Sequence, residues 1–151
     1  MKIKKGLTYC LVLLLACTVL SGCAGNSVSK EAKKLYNEQV AEYEKRAEYL
    51  KACLSKDAPT TGILLSYPTS FFHLTVEEKE VYDEADFGEE MKKNLEKGEE
   101  ISKDAKRLYD AQPSRDIYGN VTQEQYDSLV KTFNELKEKY KDYDYTLKSF
   151  E

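Results

Sequence analysis

Cysteine and histidine are the side chains through which this 151-residue chain could make or break covalent bonds, and it carries four of the first and one of the second. Cys10 and Cys17 lie in an apolar stretch, where a thiol behaves as a small hydrophobe. Cys23 stands apart, directly after Leu20-Ser21-Gly22 at the end of that stretch. A thiolate is a nucleophile, so Cys23 is placed to accept a modification. Cys53 and His73 remain, twenty positions apart. A Cys–His nucleophile needs hydrogen-bond proximity and a third group to orient the imidazole, and nothing local links these two. Cys53 reads as a small buried hydrophobe beside a helical stripe. His73, which follows Phe71 and Phe72, reads as a packed or capping histidine. GxSxG, HExxH, P-loop and paired-cysteine metal patterns are absent. No catalytic residue is assigned, and the chain reads as a non-enzyme.

Carboxylates are the side chains through which the chain could bind a metal. Glu77, Glu78, Glu80, Asp83, Glu84, Asp86, Glu89 and Glu90 form an acidic run. Calcium takes six to eight oxygens converging from a loop, whereas acids on a helix radiate outward and complement the dipole of its first turns. A solvated face is the expectation. Ser114 to Gln125 (SRDIYGNVTQEQ) distantly resembles an EF-hand loop, with Gly119 at the turn and Val121 at the apolar position. Ser114, Tyr118 and Gln125 replace liganding acids and only Asp116 is retained, so the charge that sets affinity is missing. No metal and no cofactor are expected.

Cys23 is best understood from what precedes it. Lys2, Lys4 and Lys5 form a positive end, Leu7 to Leu20 an apolar stretch, and only seventeen residues separate Lys5 from Cys23. A stable span of the ~30 Å hydrocarbon core takes about 20 apolar residues, so the pattern reads as an export signal. Leu20-Ser21-Gly22-Cys23 resembles the lipobox of bacterial lipoproteins: an aliphatic residue, two small residues, then cysteine. The resemblance covers residues 1–23 and implies a processing route, without a fold or an activity. It implies a diacylglyceryl thioether on the Cys23 sulfur, cleavage between Gly22 and Cys23, and further acylation of the new amino group with a chain such as palmitate. Two or three acyl chains make a stable anchor where one gives only marginal binding. The implied address is the outer face of the cell membrane, or an outer membrane where one exists, since Ala24 supplies no inner-membrane retention signal.

The expected organisation is a signal peptide over 1–22, a lipidated tether over 23–29 and a helical domain over 30–151. The six residues Ala24 to Ser29 reach at most ~20 Å, which keeps the domain near the lipid. Without the three leader lysines, 20 basic residues face 27 acids, a net charge of −7. That balance argues against nucleic acid as a partner and leaves the lipid to attach the chain. Cys53 is then the one unmodified thiol, so stability must come from packing.

Apolar spacing sets the helices. Tyr36, Val40, Tyr43, Ala47, Leu50 and Leu54 predict a helix from about Lys30 to Leu54. Thr75 and Glu78 form a capping-box pattern. Val81, Ala85, Met91, Leu95, Ile101, Ala105 and Leu108 then carry helical periodicity to about Ala111, with Gly88 and Gly98 as candidate bends. Either one bent helix or two consecutive ones fits. A second capping box at Thr122 and Gln125 opens a last stripe of Tyr126, Leu129, Phe133, Leu136, Tyr140 and Tyr143. Three amphipathic stretches predict an all-α, three-helix up-down-up bundle.

Residues 55–74 break the pattern. Pro59, Gly62 and Pro68 forbid a continuous helix, yet Ile63, Leu64, Leu65, Phe71 and Phe72 are strongly apolar. Phe71 and Phe72, next to the Thr75 cap, are read as core. Ile63, Leu64 and Leu65 are the candidate partner-binding residues. The function expected first is a lipid-anchored, non-catalytic domain that binds another envelope or surface protein, in an exclusion, inhibition, immunity or assembly role. A self-associating structural spacer comes second and a small envelope enzyme third.

Overall fold

The computed structural model describes residues 28–59, 67–69, 72–113 and 120–151, and within them the chain is all-α. Four helices follow one another: α1 (Lys30–Leu54), α2 (Val76–Asp83), α3 (Gly88–Asp110) and α4 (Gln123–Lys139). The expected signal over residues 1–22, with Gly22, and Cys23 lie outside the described residues.

Local chemistry explains each start. Ser29 caps α1 by accepting a hydrogen bond from the Ala32 amide at 3.1 Å. Both capping boxes form: Glu78 N donates to Thr75 Oγ1 while Thr75 N donates to Glu78 Oε2, and Gln125 and Thr122 repeat the exchange. Phe87 precedes α3 without a side-chain cap, but Asp86 Oδ1 accepts from the Gly88 amide instead.

The expected three-helix, up-down-up bundle differs from the structure in helix number and in order. The middle stretch is two helices, one of the two arrangements its periodicity allowed, because the chain breaks between Asp83 and Gly88. Gly88 sits there at φ +75°, a left-handed conformation that favours glycine, and Phe87 turns inward, 8% exposed. Gly98, by contrast, lies inside an unbroken α3, so it is no bend. It is a contact point: a Cβ built on it would fall 2.8 Å from Cγ of Tyr43. The long helices also run in a different order. Tyr36 meets Met91 and Asn94, Arg46 meets Ser102, and Tyr49 meets Gln112. Residue numbers rise together along both helices, so α1 and α3 are parallel. Lys139 reaches Asp104 and Glu100 while Arg107 pairs with Glu135, so α4 is antiparallel to α3. The order is up-up-down, so the chain returns along the bundle between Leu54 and Gly88.

Two buried clusters stack along α1. In one, Leu50 and Leu54 meet Ile101, Ala105 and Leu108 of α3 and Leu129, Phe133 and Leu136 of α4. In the other, Ala32, Tyr36 and Val40 meet Phe87 and Leu147. At ~1.5 Å per residue α1 is ~37 Å long and α4 only ~25 Å. The final segment supplies the third wall beyond the end of α4. Helix α4 stops at Lys139, short of the Tyr143 that its stripe predicted; Asp142 adopts φ +58° and the chain turns into non-helical residues 143–151.

Candidate functional site

Cys53 is half-buried against the first cluster, beside the Tyr49 and Tyr67 side of the bundle. Burial pushes its thiol above the ordinary value, with the Tyr49 hydrogen bond opposing that shift, so it is a poor nucleophile at neutral pH. His73 is exposed. Its neighbour Phe72 packs at a tilt against Tyr82, which in turn hydrogen-bonds Gln39. Gln39 lies fourteen residues before Cys53 on α1, ~21 Å along the axis. The structure does not bring Cys53 and His73 together.

The acids of the 77–90 run are spread over the surface, as expected of a solvated face. Asp83 pairs with Lys79, Asp86 with Lys92 at 2.9 Å, and Glu90 with Lys148. Among the described residues no three His, Cys, Asp or Glu side chains converge as a metal site. Residues 114–119 of the loop resembling an EF-hand lie outside the described residues, and Thr122 and Gln125 are engaged in their capping box.

The partner-binding candidates Ile63, Leu64 and Leu65 lie outside the described residues, as does Phe71. Phe72 is half-buried, packed against Tyr82 at a ring separation of 6.1 Å. Tyr67, which the apolar pattern did not single out, packs onto the bundle. Its ring meets Tyr49 edge-on at 5.4 Å and stacks on Tyr109 at 4.9 Å.

The most specific polar construction is elsewhere, where α1 and α3 grip residues 146–151. Asn94, buried on α3, receives the Lys148 amide on Oδ1 at 2.8 Å and donates from Nδ2 to the Lys148 carbonyl at 2.9 Å. Asn37 on α1 does the same to Phe150, at 2.8 and 3.0 Å. Lys97 Nζ donates to the Thr146 carbonyl at 2.9 Å. Residues 146, 148 and 150 therefore present one edge of backbone to the helices. This is how a strand meets its neighbour, with a residue's N–H and C=O pointing the same way. Each asparagine amide imitates the residue opposite in a sheet.

The grip is reinforced around it. Asn94 Nδ2 also donates to Tyr36 Oη at 2.7 Å, and that hydroxyl donates to the Met91 carbonyl at 3.0 Å. Burial is the largest influence raising the Tyr36 phenol, with the Asn94 bond acting against it. Leu147 is 7% exposed, and the Phe150 ring meets Tyr36 edge-on at 4.9 Å with Lys33 above it at 5.2 Å. Beyond Phe150 opens a cleft of about 590 Å³ lined by Lys30, Lys33, Lys34 and Asn37. Neither Asn37 nor Asn94 stood out in the sequence; each is one polar residue on an amphipathic helix, and only the fold pairs it with distant backbone.

Comparison with protein-family models, with curated proteins and with solved structures finds no match to this chain.

Proposed function

We propose that this chain is an extracytoplasmic lipoprotein, held to the cell membrane or an outer membrane by lipid on Cys23. Its non-catalytic helical domain binds another envelope or surface protein. One observation carries the anchoring: Leu20-Ser21-Gly22-Cys23 at the end of a lysine-headed apolar stretch. No helix among the described residues is long and apolar enough to cross a membrane. The net charge of −7 that remains without the leader lysines leaves little attraction for nucleic acid or anionic lipid.

Binding, rather than self-association, is supported by where the apolar stripes go. Tyr36, Val40, Leu50 and Leu54 of α1 and Leu129, Phe133 and Leu136 of α4 are buried within the chain. They are not left for a second copy, which weakens the spacer reading. Ile63, Leu64 and Leu65 remain the proposed contact residues. The test places serine at all three in the membrane-anchored chain and measures both melting temperature and in-cell cross-linking to an envelope protein. The reading expects little change in melting and loss of the cross-link. A fall of several degrees, the scale of ~1 kcal/mol in a small domain, with the cross-link intact, would assign the three to packing.

A further inference from the structure

We propose that the channel between α1 and the start of α3 is a peptide-binding groove whose resident occupant is the chain's own segment 146–151. Its second occupant is an extended segment of the partner protein, with an aliphatic residue, an aromatic three positions later and an acid after that.

The chemistry of the groove defines that pattern. The bonds that Asn94 and Asn37 make to the segment all go to its backbone, at positions two residues apart, so they accept any sequence presented in extended form. Main-chain hydrogen bonds supply affinity and side-chain pockets supply selectivity in strand-type peptide recognition. Two positions are selected here. Leu147 fills the site beside Tyr36 and Phe87, and Phe150 fills the next, edge-on to Tyr36, tilted against Phe87 and beneath the Lys33 ammonium. The cleft past Phe150 is lined by Lys30, Lys33 and Lys34, of which Lys34 pairs with Glu38 at 3.5 Å, so two lysines there have no acid beside them in an ion pair among the described residues. An acidic residue following the aromatic, the position that Glu151 occupies on the cleft wall, carries the charge opposite to those lysines.

The resident segment can leave without unfolding a helix, because residues 143–151 contain none. It joins α4 through a turn at Asp142, whose φ of +58° is a left-handed conformation that aspartate tolerates. A tethered segment competes at an effective concentration on the order of millimolar, so the groove stays closed until a better-matched segment arrives.

The proposal rests on the partner-binding reading, but its test needs no native partner. Leu147→Ser with Phe150→Ser in the full chain loosens the resident segment and leaves Asn37, Asn94 and Tyr36 in place. The probe is a fluorescent eight-residue peptide with the sequence of residues 144–151. The proposal expects saturable binding at least tenfold tighter than to the unaltered chain. Binding should be lost when Asn94→Ala is added or when the peptide is N-methylated at the residues matching Lys148 and Phe150. A variant that keeps its helical circular dichroism yet binds no better than the unaltered chain would overturn the groove. Peptide-insensitive dimers of that variant would also overturn it, by assigning the groove to a second copy. If the double variant unfolds, amide exchange in the unaltered chain decides. The amides of Lys148 and Phe150 should exchange at least tenfold faster than those of Leu50 and Phe133; equal protection would mean that the segment never leaves. Failure here leaves partner capture through Ile63–Leu65 standing, whereas peptide binding without any envelope cross-link would sink the partner reading alone.

Discussion

Single residues decide where the helices touch. Gly98 is a point of close contact between α1 and α3, because Tyr43 occupies the space that any larger side chain would need. Alanine in an exposed helix interior normally stabilises relative to glycine by ~1 kcal/mol. At Gly98 the added methyl must displace a ring from a packed interface, and overpacking costs about 1–3 kcal/mol. Gly98→Ala is therefore expected to lower stability by ~1–2 kcal/mol in urea denaturation, and a gain would mean that Tyr43 moves aside at no cost. The sequence marked Gly98 as unusual but suggested a bend, since glycine identity alone does not distinguish a flexible position from a crowded one. Asn37 and Asn94 were illegible for a related reason. Their partners lie 113 and 54 residues away, and no local pattern encodes a bond of that range.

At the scale of elements, the sequence was most legible where the physics is local. The bounds of α1 and both capping boxes follow from spacing and side-chain reach within one helix turn. The two-helix middle was one of two arrangements the pattern allowed, and Gly88 decided it. Helix order was not legible. Periodicity fixes which face of a helix is buried but says nothing of direction, and the segment at 55–75 reads equally well as a loop or a return. The stripe along α1 was also too narrow: Ala32, Leu35 and Tyr49 are buried as well, because α1 packs against all three other helices. That central position gives α1 the highest cost of truncation. Leu50, fully buried between α3 and α4, is expected to cost ~2–5 kcal/mol as Leu50→Ala. Val81→Ala in α2, which contains no fully buried residue, is expected to cost well under half of that. Equal losses by chemical denaturation would contradict the layered packing described here.

For the whole molecule, tyrosine adds to a core built mainly of leucine, with Tyr36, Tyr49 and Tyr140 buried among it and twelve tyrosines but no tryptophan in the chain. Burial raises the phenols of Tyr36, Tyr49, Tyr82 and Tyr140 above their ordinary value of 10.0, and Asp104 adds to the shift at Tyr140. A group whose folded value is raised contributes stability that is full below its unfolded value and is lost as pH rises through the folded one. Stability should hold to about pH 10 and then fall steeply, with tyrosinate absorbance appearing together with loss of helix. Gradual ionisation at pH 10 with the helices intact would show that the phenols reach solvent. These rings line a domain whose proposed place is within ~20 Å of a membrane, and the lipid on Cys23 is the claim on which that placement depends. The most direct measurement is fatty-acid labelling and intact mass of the chain and of Cys23→Ser expressed in a lipoprotein-processing bacterium. The account expects the unaltered chain to incorporate label and to lose residues 1–22, and the variant to remain unlabelled at full length. Equal mass and equal labelling in the two would contradict it.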